Sequence, residues 1–111
     1  MAKTVVISGE TMGRGPEELG HTLIASFLRK LCLAEKKPER MVFYNSGVKL
    51  IGKDSHIADA IEILAKAGVE IIACGTCVNY YDLAEEVEPE WISDMPTIIS
   101  TLIATQDAIT I

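Results

Sequence analysis

No stretch of this chain approaches the ~18 consecutive apolar residues of a membrane-spanning helix. The N-terminus also lacks the long apolar region of a secretory signal: Met1-Ala2-Lys3-Thr4 leads into only a short strand-like segment. The cytoplasm is therefore the expected compartment, and no membrane partner is expected. Basic residues are few and scattered. Ten Lys and Arg stand against 16 Asp and Glu, for a net charge of −6. A nucleic-acid surface needs clustered positive charge, so no nucleic-acid partner is expected. Histidines number 2 and cysteines 3. No second Cys/His pair stands at ligand spacing, so a four-ligand zinc site is not assembled; neither a metal nor a cofactor is expected. Repeats, linkers and low-complexity segments are absent. The 111 residues therefore read as one domain, 1–111, long enough to bury a core.

What the chain does have is apolar segments of two kinds in alternation. Thr4-Val5-Val6-Ile7-Ser8, Met41 to Tyr44, Val69 to Ala73, Glu90-Trp91-Ile92 and Ala108 to Ile111 read as strands. Between the first two, Leu19, Leu23, Ile24, Phe27, Leu28 and Leu31 recur at helical spacing. Pro16, Glu17 and Glu18 suit the start of that helix, which should end near Ala34. A second helix carries Ile57, Ala58, Ile61, Leu64 and Ala65. Asp54 or Ser55 is its expected cap and Gly68 its stop. A short helix is expected over 79–87, and a last one starts at Asp94-Met95-Pro96. Strands alternating with helices predict a three-layer α/β/α fold with a mainly parallel sheet of about five strands.

In such sheets, function sits beyond the carboxyl ends of the strands. Three unusual segments fall there: Gly9–Gly15, Asn45–Gly52 and Cys74-Gly75-Thr76-Cys77. The cysteine pair is the most informative. It stands where a strand hands over to a helix, and backbone N–H groups at such a place favour the thiolate, the nucleophilic form of sulfur. In a reducing compartment a structural disulfide is not expected, so reactivity gains weight over bridging. The bland alternative is two small buried hydrophobes at the foot of a helix. Cys32, beside the stripe of the first helix, reads as packing.

The glycine-rich loop has enough freedom to wrap an anion, with Gly9, Thr11, Gly13, Arg14 and Gly15 as its candidate contacts. It lacks both the G-x-G-x-x-G pattern and the Gly-Lys-Ser/Thr ending of a phosphate loop. An Arg14 guanidinium beside Cys74 would stabilise a thiolate; a solvated loop arginine is the alternative. Asn45, Ser46 and Lys49 are further candidates to supply donors or charge, although Asn45-Ser46-Gly47 is equally plain turn chemistry. His21 and His56 read as surface residues. Tyr80 and Tyr81 are expected to wall the site, line a subunit interface or pack into the core.

Ser8-Gly9-Glu10-Thr11-Met12-Gly13-Arg14-Gly15, Phe43-Tyr44-Asn45-Ser46-Gly47-Val48-Lys49-Leu50 and Ala73-Cys74-Gly75-Thr76-Cys77 together resemble the DsrE-like sulfur-relay superfamily. The nearest likeness is to the DsrE-like domain of YedF-type proteins linked to selenium metabolism. The resemblance covers essentially the whole chain, which begins at its first DsrE-like strand without the TusA-like domain often found ahead of it in YedF-type proteins. It implies a parallel-sheet α/β fold, a homo-oligomer (trimer or hexamer), and a persulfide on the strand-end cysteine, here Cys74.

The expected function is accordingly a cytoplasmic sulfur (or selenium) carrier or sulfurtransferase-like protein. Sulfur-donor and sulfur-acceptor proteins would be its partners. Cys74 would bear the persulfide and Cys77 would act as the resolving thiol. Two other classes stay open: a dithiol–disulfide oxidoreductase, and a non-catalytic module binding a small anion or nucleotide in the Gly9–Gly15 loop.

Overall fold

The computed structural model describes residues 3–111; Met1 and Ala2 lie outside it. The strands are β1 (Lys3–Ile7), β2 (Arg40–Phe43), β3 (Glu70–Cys74), β4 (Ile92–Ser93) and β5 (Asp107–Thr110). They form one sheet in the order β4-β3-β2-β1-β5, and every adjacent pair is parallel. The helices are α1 (Glu17–Leu33), α2 (Ala58–Lys66), α3 (Gly75–Tyr80) and α4 (Met95–Ala104).

Strand order explains the layering. From β1 to β2 to β3 the chain steps in one direction, and right-handed crossovers put both connecting helices, α1 and α2, on one face. From β4 to β5 it runs back across the sheet, so α4 lies on the other face. Side-chain alternation along each strand fits both layers. Val5, Ile7, Met41, Phe43 and Ile71 pack with Ile24 and Leu28 of α1 and Ile61 and Leu64 of α2. Val6, Val42, Ile72 and Cys74 point the opposite way and meet Ile98 of α4. The first cluster is the larger, and Phe43 at its centre is fully buried. Truncating Phe43 to alanine should cost about 3–5 kcal/mol.

Register brings the carboxyl ends of the strands to one edge. Ile7 stands opposite Phe43, Phe43 opposite Ala73, and Ala73 opposite Ile92. Cys74 is one step further out, opposite Ser93.

The short helix expected over 79–87 is displaced. It starts at Gly75, directly after Cys74, and stops at Tyr80. Gly75 permits this early start: a Cβ there would lie 2.9 Å from the Ser93 carbonyl oxygen, so only glycine lets α3 lie against β4. Asp82, with a left-handed φ of 57°, follows soon after the helix. Leu83 and Val87 still turn inward, because a compact turn reproduces the helical spacing; the Leu83 N–H donates to the Val78 carbonyl at 2.9 Å. The Asn45–Gly52 loop is mostly a 3₁₀ helix over Asn45–Ile51, with Val48, Leu50 and Ile51 buried. Neither expected cap sits on α2: Ser55 Oγ accepts the Ile57 N–H one turn earlier, at 3.2 Å, and the helix begins at Ala58 without a side-chain cap. Strand β4 falls on Ile92–Ser93, after a 3₁₀ turn over Pro89–Trp91. Asp94 does cap α4, accepting the Thr97 N–H at 2.9 Å.

Candidate functional site

Cys74 and Cys77 are free thiols on adjoining elements. Cys74 closes β3, and its side chain enters the α4-side core; the residue is only 2% exposed. Cys77 lies one helical turn on, in α3, where it is half-buried and packs against the cluster that holds Cys74. Their mutual placement follows from α3 starting at Gly75. A helix starting at residue 79 would have left Cys77 in a loop.

The Cys77 sulfur accepts one hydrogen bond, from the Asn45 backbone N–H at 3.0 Å. Asn45 holds a left-handed backbone, φ 52°, a conformation that Asn tolerates better than most residues. Burial pushes the Cys77 thiol above its ordinary value. The Asn45 N–H opposes that rise, and the neighbouring Cys74 thiol adds to it. No backbone N–H among the described residues donates to the Cys74 sulfur. The amide donor expected at this strand end therefore reaches Cys77, and it comes from the loop after β2 rather than from α3.

Around Asn45 a polar chain closes the rim. The Tyr81 hydroxyl donates to Asn45 Oδ1 at 3.3 Å. Lys49 Nζ sits 4.6 Å from the Tyr81 ring centroid and pairs with Glu10 at 3.7 Å. The Glu10 N–H donates to Ser46 Oγ at 3.0 Å. Asn45, Ser46 and Lys49 thus belong to one chain of contacts, which reaches Cys77 through the Asn45 N–H. Glu10, which no sequence signal singles out, ties the first loop to the second. Tyr80 stacks edge-on against Tyr81 and is 81% exposed.

The glycine-rich loop is organised otherwise. Thr11 packs on Gly20 of α1, where a Cβ would lie 2.6 Å from the Thr11 Cβ; the Met12 N–H donates to the Gly20 carbonyl at 3.1 Å. The loop amides of Glu10 and Met12 are therefore committed within the protein. Gly13 and Gly15 take positive φ values, 82° and 151°. Arg14 is exposed and has no ion pair or hydrogen bond among the described residues. It is also not among the groups that shift the Cys77 thiol.

Cys32 is a packing residue, as its position on α1 suggests. Its thiol donates to the Leu28 and Ala60 carbonyls, both at 3.3 Å, and burial raises its pKa. No helix among the described residues is long and apolar enough to cross a membrane.

The sequence profile of the DsrE/DsrF-like family matches residues 3–111. Three solved structures share the fold. A protein of unknown function from Methanobacterium thermoautotrophicum, MTH1491, is 19% identical with a TM-score of 0.69, and both chains are covered in full. The ychN protein of E. coli is 16% identical with a TM-score of 0.65, again over the whole of both chains. A conserved protein of unknown function from Bacteroides thetaiotaomicron, BT1422, is 14% identical with a TM-score of 0.62, over 98% of this chain and 94% of the other. No curated protein matches the chain.

Proposed function

The chain belongs to the DsrE/DsrF-like family, and from that premise we propose that it is a sulfur-relay protein carrying sulfane sulfur, or selenium, on its cysteine pair. The observation that carries this reading is the pairing itself. A buried thiol at the end of β3 adjoins a half-buried thiol in α3, and the second receives a backbone N–H. A carried sulfur on Cys74 would be shielded from solvent, and the Asn45 N–H stabilises the anion on Cys77 that must form before attack.

The chemistry balances as follows. A donor persulfide transfers its terminal sulfur to the Cys74 thiolate, giving Cys74–S–SH and a donor thiol. An acceptor thiolate then removes the terminal sulfur and restores Cys74. Alternatively, the Cys77 thiolate attacks the inner sulfur of Cys74, forms the Cys74–Cys77 disulfide and releases hydrosulfide. The disulfide then needs an external dithiol to reopen it.

Exposure favours a second reading, in which the two roles are exchanged. Cys77 is the thiol that solvent reaches more easily, so an incoming sulfur would load there and Cys74 would resolve it.

Intact-mass analysis after treatment with a sulfane-sulfur donor tests both readings. In the first, Cys77→Ser gains one sulfur and keeps it longer than wild type, while Cys74→Ser gains none. The reverse pattern establishes the second. Equal loading of both variants, or of neither, removes the relay role from the pair.

A further inference from the structure

Cys74 sits in an apolar setting, among Val6, Val42, Ile72 and Ile98, with Leu102 packed against them. A neutral thiol suits such a place. A persulfide suits it less, because its terminal sulfur ionises and an anion beside apolar side chains is costly unless a donor meets it. The backbone does not supply that donor. No N–H among the described residues donates to the Cys74 sulfur, and the Asn45 N–H is taken by Cys77.

Sheet register places one side-chain donor next to it. Phe43 stands opposite Ala73, and the chain stays extended at Tyr44, with φ −142° and ψ 173°. The Tyr44 N–H continues the ladder toward β1, donating to the Ile7 carbonyl at 3.2 Å. One further step of the same register sets Tyr44 beside Cys74. Residues two apart share a face of the sheet. Tyr44 therefore follows Val42 to the α4 side as Cys74 follows Ile72, and both pack in the one cluster. Adjacent strands lie about 4.8 Å apart, so the two side chains are immediate neighbours. Unlike the Tyr81 hydroxyl, which donates to Asn45, that of Tyr44 has no partner among the described residues. Ser93 flanks Cys74 from the other side, in β4, but it lines an open groove where water competes for its hydroxyl.

We propose that Tyr44 binds the carried sulfur: its hydroxyl donates a hydrogen bond to the terminal sulfur anion of a persulfide on Cys74. A cysteine side chain is much shorter than a tyrosine, so the bare thiol stops short of the hydroxyl. A second sulfur lengthens it toward that end. Tyr44 thus recognises the loaded state and not the empty one. It keeps its proton, and no covalent bond is made or broken at it; a charge-assisted hydrogen bond holds the anion until an acceptor thiolate takes the sulfur. The inference rests on the reading in which Cys74 bears the sulfur. Few other groups can titrate beside that anion. Cys77 of α3 is the other titratable member of the cluster, β1 and β2 otherwise present Val6 and Val42, and α4 carries no charged residue. Asp94 adjoins Ser93, and hydrogen bonds from Thr97 hold its carboxyl below the ordinary range, so it stays ionised throughout.

The test uses protein carrying Cys32→Ala and Cys77→Ser, in which Cys74 is the only cysteine left. It is loaded with inorganic polysulfide. Alkylation by iodoacetamide is then followed against pH by intact mass, which separates alkylated persulfide from alkylated thiol. Adding Tyr44→Phe keeps the ring and removes the hydroxyl. The persulfide inflection should rise by about one pH unit, equivalent to a tenfold loss of anion stability. The inflection of the empty thiol should stay where it was. Tyr44→Leu should raise the persulfide inflection equally, and Ser93→Ala should move neither. A persulfide inflection unmoved by Tyr44→Phe overturns the inference and leaves the relay reading standing. A rise confined to Tyr44→Leu does the same, because it assigns the effect to the ring. So does an equal shift of the empty thiol, or an equal rise in Ser93→Ala, since either reports a general disturbance of the strand end. Absence of any persulfide on Cys74 in the parent protein overturns both that reading of Cys74 and this inference.

Discussion

Asn45 and Cys77, 32 residues apart, meet through one hydrogen bond: the Asn45 backbone N–H lies 3.0 Å from the Cys77 sulfur. The donor is main chain, so its aim depends on the left-handed conformation of Asn45 rather than on the amide side chain.

This relationship sets the first prediction. Asn45→Gly keeps both the conformation and the N–H, so Cys77 should alkylate at close to its wild-type rate. Asn45→Val disfavours positive φ by about 1–3 kcal/mol and should swing the N–H away. A thiolate that loses a donor becomes less stable, so the Cys77 pKa rises further and the neutral-pH rate falls, by roughly tenfold for about 1.4 kcal/mol. Alkylation rate against pH, in Cys74→Ser protein, makes the comparison. Equal rates for the Gly and Val variants would show that the N–H does not govern Cys77.

Alkaline stability follows from the two raised thiols. Burial lifts Cys32 and Cys77 above the ordinary 9.0. A group whose folded pKa is raised stabilises the fold fully below its unfolded value, and that stability is lost as pH climbs through the folded value. Melting temperature should therefore decline above pH 9. The decline should be shallower in Cys32→Ala, which has no S–H to lose from the Leu28 and Ala60 carbonyls. Parallel alkaline limbs for the two proteins would count against this assignment.

Gly47 reads as a turn residue, yet its role is close approach. A Cβ there would lie 2.5 Å from the Ile7 carbonyl oxygen, and backbone at that distance has little room to yield. Gly47→Ala should destabilise the protein by about 1–3 kcal/mol, lowering the melting temperature by roughly 4 °C or more. It should also disturb Asn45 and slow Cys77 alkylation. A wild-type melting temperature would show that the 3₁₀ segment shifts freely.

Assembly is the fourth prediction. Helix α4 has no charged residue, and Met95, Ile99 and Ile103, four apart along one face, are 50%, 51% and 80% exposed. On a chain of net charge −6, an uncharged apolar stripe is where copies repel least. Light scattering should show a homo-oligomer for the wild type and a smaller species for Ile99→Glu with Ile103→Glu. A wild-type monomer throughout the micromolar range would defeat the prediction.

How legible was all this in the sequence? The apolar runs at 4–8, 41–44 and 69–73 and the helical stripe from Leu19 to Leu31 gave strands and a helix where they were expected. Periodicity is a local property of a segment. The cysteine pair was legible for the same reason: it directly follows a buried strand. Where local signals misled, a contact from elsewhere decided the outcome. Leu83 and Val87 carry helical spacing but occupy a turn, because α3 had already started at Gly75 against β4. Asn45-Ser46-Gly47 carries turn chemistry but opens a 3₁₀ helix packed on the end of β1.

The sequence by itself determined the strand–helix alternation, the parallel sheet and the edge on which the cysteines lie, because these rest on periodicity within segments and on the order of those segments along the chain. Only the tertiary structure decided strand order, the Asn45 donor to Cys77, the burial of Cys74 and the start of α3 at Gly75. Each of these depends on which distant segments come to lie side by side. That choice is made by the packing of the whole core, to which no single window of residues has access.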